Sequence, residues 1–360
     1  MSLPVLQLTG SPYQQGLAHG EALRDRIARN IEVYLARFQS EVGVSPDEVR
    51  ERARAYRRVI AESNGDYAEG LRGVIEGSGL DADFVTALNV RYELLYDRWT
   101  RNAMEEGDGC TAFAIAPEAA ENGHLWLGQN WDWIPDVQGA VLHSTDPDGM
   151  RSLSFTQAGI VGGKIGLNSE GLGLGINGLL STEDDWSRLR KPFHVRCYEI
   201  LRKRALDDAV RVVTEPARSC STNFLLGQAP DRILDLETAP ERLSRLEAEE
   251  GVLVHANHFV DPERTGVEQP PNPRRHFSEK RHCRLGALLR AARPLTLEKI
   301  QAALRDHDQY PNAICRHPDP TLAPAERSLT VTSVVMDLSE RRMWITDLQP
   351  CEHPYQELRL

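Results

Sequence analysis

Apolar residues at Ile27, Ile31, Tyr34, Leu35 and Phe38 recur at the three-and-four spacing of an amphipathic helix, which opens upstream at Ser11-Pro12-Tyr13-Gln14-Gln15-Gly16 and passes through Ala18-His19-Gly20. Gly16 and Gly20 are four apart, so they share one side of that helix and permit a close crossing with a neighbour, with His19 read as a packing residue. A second helix follows Ser45-Pro46-Asp47, with Ser45 as N-cap and Glu48 completing a capping box. A third covers Tyr67 to Glu76, and Asp81 caps a fourth through Phe84, Leu88, Tyr92 and Leu95. Arg50, Arg52, Arg54, Arg57 and Arg58 are interleaved with Glu51 and Glu62 and read as solvated surface. Residues 1–109 thus predict a helical unit whose last stretch, Arg101 to Gly109, turns polar and glycine-rich like an exposed loop.

Beyond it the pattern changes to short apolar runs divided by turn residues. Cys110 to Ala116 and His124 to Trp133 flank the turn signal Asn122-Gly123 and predict a hairpin. Further strands are read at Ser152–Phe155, Gly159–Asn168, Leu172–Gly178, Ser221–Gly227, Arg232–Glu237, Gly251–Phe259, Leu329–Leu338 and Arg342–Asp347. Helices are read at Pro192–Ala205, Leu206–Glu215, Ser278–Ala292 and Leu297–Arg305, with a proline-rich rim or lid from Asp261 to Glu279. The class is α+β. Alternating glycines in Leu172–Gly178 leave one strand face bare, open to substrate or another backbone, with Asn177 at its end.

Composition narrows the partners. A chain of 360 residues with net charge -11 presents no polyanion-binding surface, so nucleic acid is not expected. The first ten residues lack a basic start and a long apolar run, and no stretch approaches the ~20 apolar residues of a membrane span, which predicts a soluble, cytoplasmic protein. Six scattered cysteines without a Cys-x-x-Cys pair read as reduced thiols. The glycine series lacks the Lys-Ser/Thr of a phosphate loop, and no cofactor is expected.

The candidate chemistry lies at the hinge between the halves. If Ala116 pairs with His124, antiparallel counting sets Cys110 opposite Asn130, with Asp132 one step further on the same face, so that thiol, amide and carboxylate converge. Asp108-Gly109-Cys110-Thr111 has two readings, a plain tight turn or a strained peptide bond open to attack by the following thiol. In Gly251–Phe259, strand alternation turns His255 and Asn257 to one side and His258 to the other, which disfavours zinc, and no metal is expected.

Cys-Thr at a strand start followed by Gly-Gln-Asn-Trp-Asp-Trp resembles the acyl-coenzyme A:6-aminopenicillanate acyltransferase family of N-terminal nucleophile hydrolases. The resemblance extends to the amino-terminal opening, to His255-Ala-Asn-His-Phe259 and to Ile314-Cys-Arg-His317. It implies two antiparallel sheets packed face to face between helical layers, an αββα sandwich. It also implies self-cleavage between Gly109 and Cys110 into a small chain, 1–109, and a catalytic chain, 110–360, with Arg101–Gly109 as the processing loop. The freed Cys110 then carries both the nucleophilic thiol and, as its α-amine, the general base.

By the same resemblance Asp132 orients that amine, Asn257 supplies the oxyanion-hole amide, and Arg316 lies near the thiol and favours its thiolate. In the bile salt hydrolase and penicillin V acylase relatives, a Leu-Asn-x-x-Gly-Leu-x-x-x-x-Asn arrangement sets an asparagine beside the nucleophile, here Asn177, which is equally a turn former. Bile-salt relatives carry arginine where this chain has Gln129. Trp131, Trp133 and Phe259, with Trp126, are read as walls of an apolar acyl site or as core. The implied substrate is a linear amide or thioester, with water or an amine as acceptor and the cleaved small chain as partner. Three rivals stand beside it: an unprocessed thiol hydrolase with a Cys-His dyad, for which Cys315 and His317 offer residues, a processed but idle binding protein, and a purely structural protein.

Overall fold

The computed structural model describes residues 3–102, 109–215 and 217–360. Strand β1 (Val5–Thr9) leads into six helices: α1 (Pro12–Ala22), α2 (Arg24–Val42), α3 (Pro46–Ser63), α4 (Gly65–Ser78), α5 (Ala82–Asn89) and α6 (Arg91–Asn102). Six strands follow: β2 (Thr111–Ile115), β3 (Trp126–Trp133), β4 (Gly139–Thr145), β5 (Arg151–Gln157), β6 (Ile165–Asn168) and β7 (Leu172–Gly178). Helices α7 (Phe193–Ile200) and α8 (Leu206–Thr214) precede β8 (Thr222–Gln228), β9 (Arg232–Thr238), β10 (Leu243–Leu246) and β11 (Val252–His255). The chain closes with α9 (Pro262–Thr265), α10 (Arg275–Ala291), α11 (Leu297–Leu304), β12 (Leu329–Asp337), β13 (Arg342–Ile345) and β14 (Gln356–Arg359).

The strands form two sheets, ordered β1-β4-β5-β6-β7-β8-β9-β10 and β11-β2-β3-β12-β13-β14. They face one another, with β2 and β3 across from β7 and β8. Gln129 ties the layers together: its Oε1 accepts from Ile176 N (2.8 Å) and its Nε2 donates to Ile176 O (3.1 Å). Helices of the first hundred residues share an apolar core with the eight-stranded sheet, while α10 and α11 cover the outer face of the six-stranded one through Leu285, Leu289, Ile300 and Leu304 against Phe113, Ile115 and Trp126. The architecture is the four-layer αββα sandwich. It arises because β2 and β3 are buried on both faces, one toward the opposite sheet and one toward helices.

The bare face of β7 is an accommodation for this packing. A Cβ at Gly173 would stand 2.6 Å from Leu338 Cδ2. The glycines predicted to allow a close helix crossing do so: a Cβ on Gly16 would meet Gly70 O at 2.1 Å and one on Gly73 would meet Tyr13 O at 2.3 Å, so α1 and α4 touch backbone to backbone. His19 is a core residue whose Nε2 accepts from Gly159 N (3.0 Å), and burial lowers its pKa to about 4. Asn30 Nδ2 donates to Gln138 O and Ala158 O, both at 2.9 Å, so polar core side chains pin the β3–β4 and β5–β6 connections to the helices.

Three expectations need correction. The first hundred residues are not purely helical, because Val5–Thr9 pairs in parallel with β4; five residues are too short to show strand patterning until a free edge receives them. The long first helix is two, divided at Leu23, and the fourth is divided at Val90. Arg52 is buried, pairing with Glu48 and lying 4.4 Å from the Trp186 ring centre. The segment 103–108 of the predicted processing loop lies outside the described residues.

Glu93 on α6 is buried, with Oε1 accepting from Phe193 N at 2.6 Å. Burial outweighs that bond and the nearby Arg91 and Arg196, raising its pKa from 4.5 to about 7. Between those values the unfolded chain has lost a proton that the folded chain keeps, so the stability this group contributes falls as pH rises through the window and is level above it. Glu93→Gln keeps the acceptor without titrating. Melting temperature followed from pH 4.5 to 7 is expected to fall less steeply in the variant than in the parent, and equal slopes would exclude Glu93 as a source.

Candidate active site

The hairpin forms, but with its register shifted by one residue. Ile115 pairs with Trp126 and Thr111 with Asn130, so continuing the register sets Cys110 across from Trp131. The connection is drawn away from a simple turn: Ala116 N donates to Gly251 O, and Glu121 N donates to Leu295 O beside the Ala120–Leu295 bridge. His124 is taken by Asp337, with Nδ1 and Oδ2 at 2.8 Å. An odd shift inverts the predicted faces. Asn130 therefore turns outward, where its Nδ2 donates to Leu304 O (2.9 Å) and Ile314 O (2.8 Å) instead of meeting the thiol.

Asp132 still reaches the site, by a different route. Cys110 is fully buried, and its Sγ lies 3.7 Å from the Asp132 carbonyl oxygen. Across a bulge in β12, Thr330 Oγ1 donates to Asp132 Oδ1 at 2.7 Å and accepts from Arg316 N at 2.9 Å. The Arg316 guanidinium sets Nε 3.4 Å from Asp132 Oδ2 and donates from Nη1 to Ser328 Oγ at 2.8 Å. Both charged groups are buried, so they interact in a low-dielectric setting where fixed orientation counts most.

The guanidinium also lies flat on the residue before the thiol. A Cβ on Gly109 would sit 2.5 Å from Arg316 Cζ. Any side chain there displaces the arginine, so the small size of Gly109 is what the site requires. Sequence proximity could not have placed Arg316 on this bond; Asn130 helps by holding Ile314 O two residues upstream.

Asn257 lies just past the end of β11, not within a strand as expected. The chain bends there, and the His255 and His258 rings come to 6.5 Å between centres instead of facing apart. His255 Nε2 lies 2.9 Å from Glu237 Oε1 and its Nδ1 lies 2.7 Å from Ala256 O, so both ring nitrogens are engaged by protein. Burial opposes charge on His255, yet Asp235 and Glu237 outweigh it and its pKa is raised. Asp235 is buried beside it, and burial lifts its carboxyl to about 7.

Arg281, which the sequence shows only as one basic residue of a helix, fixes the Asn257 amide. Its Nη2 donates to Asn257 Oδ1 at 3.0 Å and its Nε to Thr111 Oγ1 at 3.2 Å, linking Asn257 to the residue after Cys110. Because a guanidinium only donates, Nδ2 must be the opposite end of the amide. One of its hydrogens goes to Gly178 O at 3.2 Å. Ser278 Oγ accepts from Asn257 N at 2.7 Å. Asn177 precedes Gly178; its Oδ1 accepts from Asn223 Nδ2 at 3.4 Å, and among the described residues its buried Nδ2 has no hydrogen-bond partner.

The aromatic candidates are interior. Trp131 and Trp133 stack at 6.0 Å, Trp133 Nε1 donates to Tyr34 OH at 2.7 Å, and Lys164 Nζ lies 3.1 Å from the Trp131 ring centre. Phe259 packs with Leu179, Ala239 and Val267. Trp126 is on the outer face against Trp344. Directly after Trp133 the chain enters a groove of about 530 Å³ lined by the apolar Val33, Ile134 and Pro318 and by the charged Arg29, Glu32, Asp136 and Arg327.

Among the described residues, no helix is long and apolar enough to cross a membrane. The model of the acyl-coenzyme A:6-aminopenicillanic acid acyl-transferase family matches residues 119–350, nearly two thirds of the chain, covering Asp132, Asn177, Asn257 and Arg316 and beginning after Cys110. An uncharacterized protein of Archaeoglobus fulgidus is 22% identical over 315 residues, 72% of this chain and 50% of its own length, so the chain spans about half of the curated relative it matches. Similar solved structures include the Caenorhabditis elegans ortholog of N-acylethanolamine-hydrolyzing acid amidase, at 12% identity and TM-score 0.47, covering 64% of this chain and 93% of that one. Penicillin V acylase from Agrobacterium tumefaciens is 14% identical with TM-score 0.44, covering 66% and 83%. A variant of conjugated bile acid hydrolase from Clostridium perfringens is 11% identical with TM-score 0.48, covering 70% and 97%.

Proposed function

The chain belongs to the acyl-coenzyme A:6-aminopenicillanic acid acyl-transferase family, and from that premise we propose that it is a self-processing cysteine amidohydrolase or acyltransferase acting on linear amides or thioesters. The observation that carries this reading is the packing at Gly109–Cys110: a buried thiol, the Asp132 carbonyl 3.7 Å from it, and an aspartate-paired guanidinium against the glycine.

In the first stage the Cys110 thiol adds to the Gly109 carbonyl carbon. The Gly109–Cys110 C–N bond breaks as the acyl group moves to sulfur, and the nitrogen takes up a proton to become the Cys110 α-amine. Water then hydrolyses the thioester, leaving a Gly109 carboxylate and a free thiol. The small chain remains as partner, since β1 is paired within the eight-stranded sheet and α1 to α6 share its core.

In the second stage the α-amine accepts the thiol proton as sulfur attacks the substrate carbonyl, and returns it to the departing amine. Asp132 orients the amine, Arg316 favours the thiolate, and the Asn257 amide, with Asn177, holds the oxyanion. Asn257 suits this because Arg281 turns its N–H end away and only one of its two amide hydrogens is taken by Gly178. The S-acyl enzyme then passes its acyl group to water or to an amine. The groove that Ile134 and Pro135 enter directly after Trp133 receives the acyl chain, with Trp133 and its stacked neighbour Trp131 preceding it in β3, while Phe259 stands apart in its cluster with Leu179, Ala239 and Val267. A reducing, cytoplasmic setting belongs to the same reading, the six cysteines being scattered along the chain without a Cys-x-x-Cys pair.

Incubation with linear N-acyl amides, quenched in acid, is expected to add the mass of one acyl group to the peptide beginning at Cys110, and an added amine is expected to divert product from acid to amide. Labelling of an intact chain would favour the unprocessed thiol hydrolase instead. A processed chain that never acquires the group would favour the binding protein.

A further inference from the structure

Four side chains that the acyl chemistry leaves unused meet on the far side of Arg316. Cys315, His317, His307 and Cys351 each direct one sulfur or nitrogen to a common point, all four atoms lying within 4.8 Å of one another. Cys315 Sγ and Cys351 Sγ are 3.4 Å apart, and His307 Nε2 and His317 Nε2 are 3.2 Å apart. His317 Nε2 lies 3.3 Å from Cys351 Sγ and 3.9 Å from Cys315 Sγ.

Zinc bound by two thiolates and two imidazoles, at about 2.3 Å to sulfur and about 2.0 Å to nitrogen, separates its ligand atoms by about 3.3–3.8 Å along the edges of a tetrahedron. The four separations straddle that range. A Cys-His pair acting as a nucleophilic dyad needs only two of these groups, and the convergence of a second cysteine and a second histidine has no use in it. From these positions we propose that Cys315, His317, His307 and Cys351 form a binding site for a tetrahedral transition metal ion, zinc being the class their two thiols and two imidazoles suit. Binding releases the two thiol protons to solvent and leaves a neutral bis-thiolate, bis-imidazole centre.

Its surroundings fit a closed structural centre. The Glu352 carboxylate stands 3.8 Å from His317 Nδ1, on the side away from the ligand nitrogen, where an outer carboxylate steadies a metal-bound imidazole. Cys315 N donates to Asp306 O and His317 N to Pro311 O, both at 3.0 Å, so the loop already holds its ligands inward. Arg305 Nε donates to Pro350 O at 2.8 Å, joining that loop to the turn bearing Cys351. Arg316 lies between two ligands, so the ion staples the backbone from which the guanidinium reaches Gly109 and Asp132. In the sequence the pair with metal-like spacing is His255 and His258, which a strand turns to opposite faces. The four ligands proposed here are spread from 307 to 351 and meet only in the folded chain.

The test is the metal content of the full chain, purified from zinc-supplemented cells and passed through gel filtration, together with Co(II) titration of the chelator-stripped protein. One zinc per chain is expected, with the thiolate-to-metal charge-transfer and intense d–d bands of tetrahedral cobalt. His307→Ala, at an exposed position, is expected to lose retained zinc while keeping the parent's circular dichroism, and Cys351→Ser to abolish the charge-transfer bands contributed by that sulfur. A parent chain with neither zinc nor a cobalt spectrum would overturn the proposal. So would zinc content unchanged in both variants, or a Cys315–Cys351 disulfide, lower in mass by two hydrogens, that persists in zinc-replete protein. None of these readouts depends on acyl transfer, so the site and the proposed activity can fail separately.

Discussion

Cys110→Ala is expected to leave a single chain of full-length mass where the parent yields two that meet between Gly109 and Cys110. Denaturing, reducing mass spectrometry of the intact proteins reads both. The same substitution removes the atom that would carry the acyl group, so turnover of any amide substrate is expected to fall about 10⁴-fold or more, the scale seen when a covalent nucleophile is deleted. The effect should be separable from misfolding. Cys110 stands just ahead of β2, whose pairing with β3 begins at Thr111 and with β11 at Ala112, so loss of one sulfur leaves that pairing intact. A single full-length mass for the parent would take the α-amine out of the mechanism. Two masses in the variant would assign the cut to another agent.

Asn257→Ala is expected to lower kcat by about 10²- to 10³-fold, ~3–4 kcal/mol of transition-state stabilisation, with a much smaller change in KM. The reason is directional. Arg281 occupies Oδ1 and Gly178 O takes one N–H, so the second N–H is a fixed dipole that gains most when charge develops on the substrate oxygen. Steady-state kinetics on processed protein checks it, with melting temperature measured alongside because the variant also leaves Arg281 with one partner fewer. A parallel loss of kcat and thermal stability, both restored at lower temperature, would reduce Asn257 to a packing residue. An unchanged kcat would remove it from the oxyanion site.

What the sequence by itself determined was local. Turn residues and alternation placed the β2–β3 hairpin, β7 to β9, β12 and β13. Ser11 and Ser45 marked helix starts where both side chains do accept the capping bonds, and Gly16 and Gly20 marked a close crossing, because these signals act within one turn of chain. The family pattern added Asp132, Asn257 and Arg316, whose neighbourhood the fold then explains.

Only the tertiary structure decided the rest. The hairpin's register depends on where Ala116 and Glu121 find partners, at Gly251 and Leu295, and one residue of shift exchanges Asn130 for Trp131 on the face shared with Cys110. Arg281 looks like any arginine of a basic helix until α10 docks on β11 and brings it to Asn257 and Thr111. Arg316 and the four metal-ligand candidates are likewise joined by approach in space, not by spacing along the chain. Periodicity fixes the side of an element on which a side chain stands, through bonds no more than a few residues long. What that side faces is set by packing between elements distant in sequence, and there burial, direction and charge become chemistry.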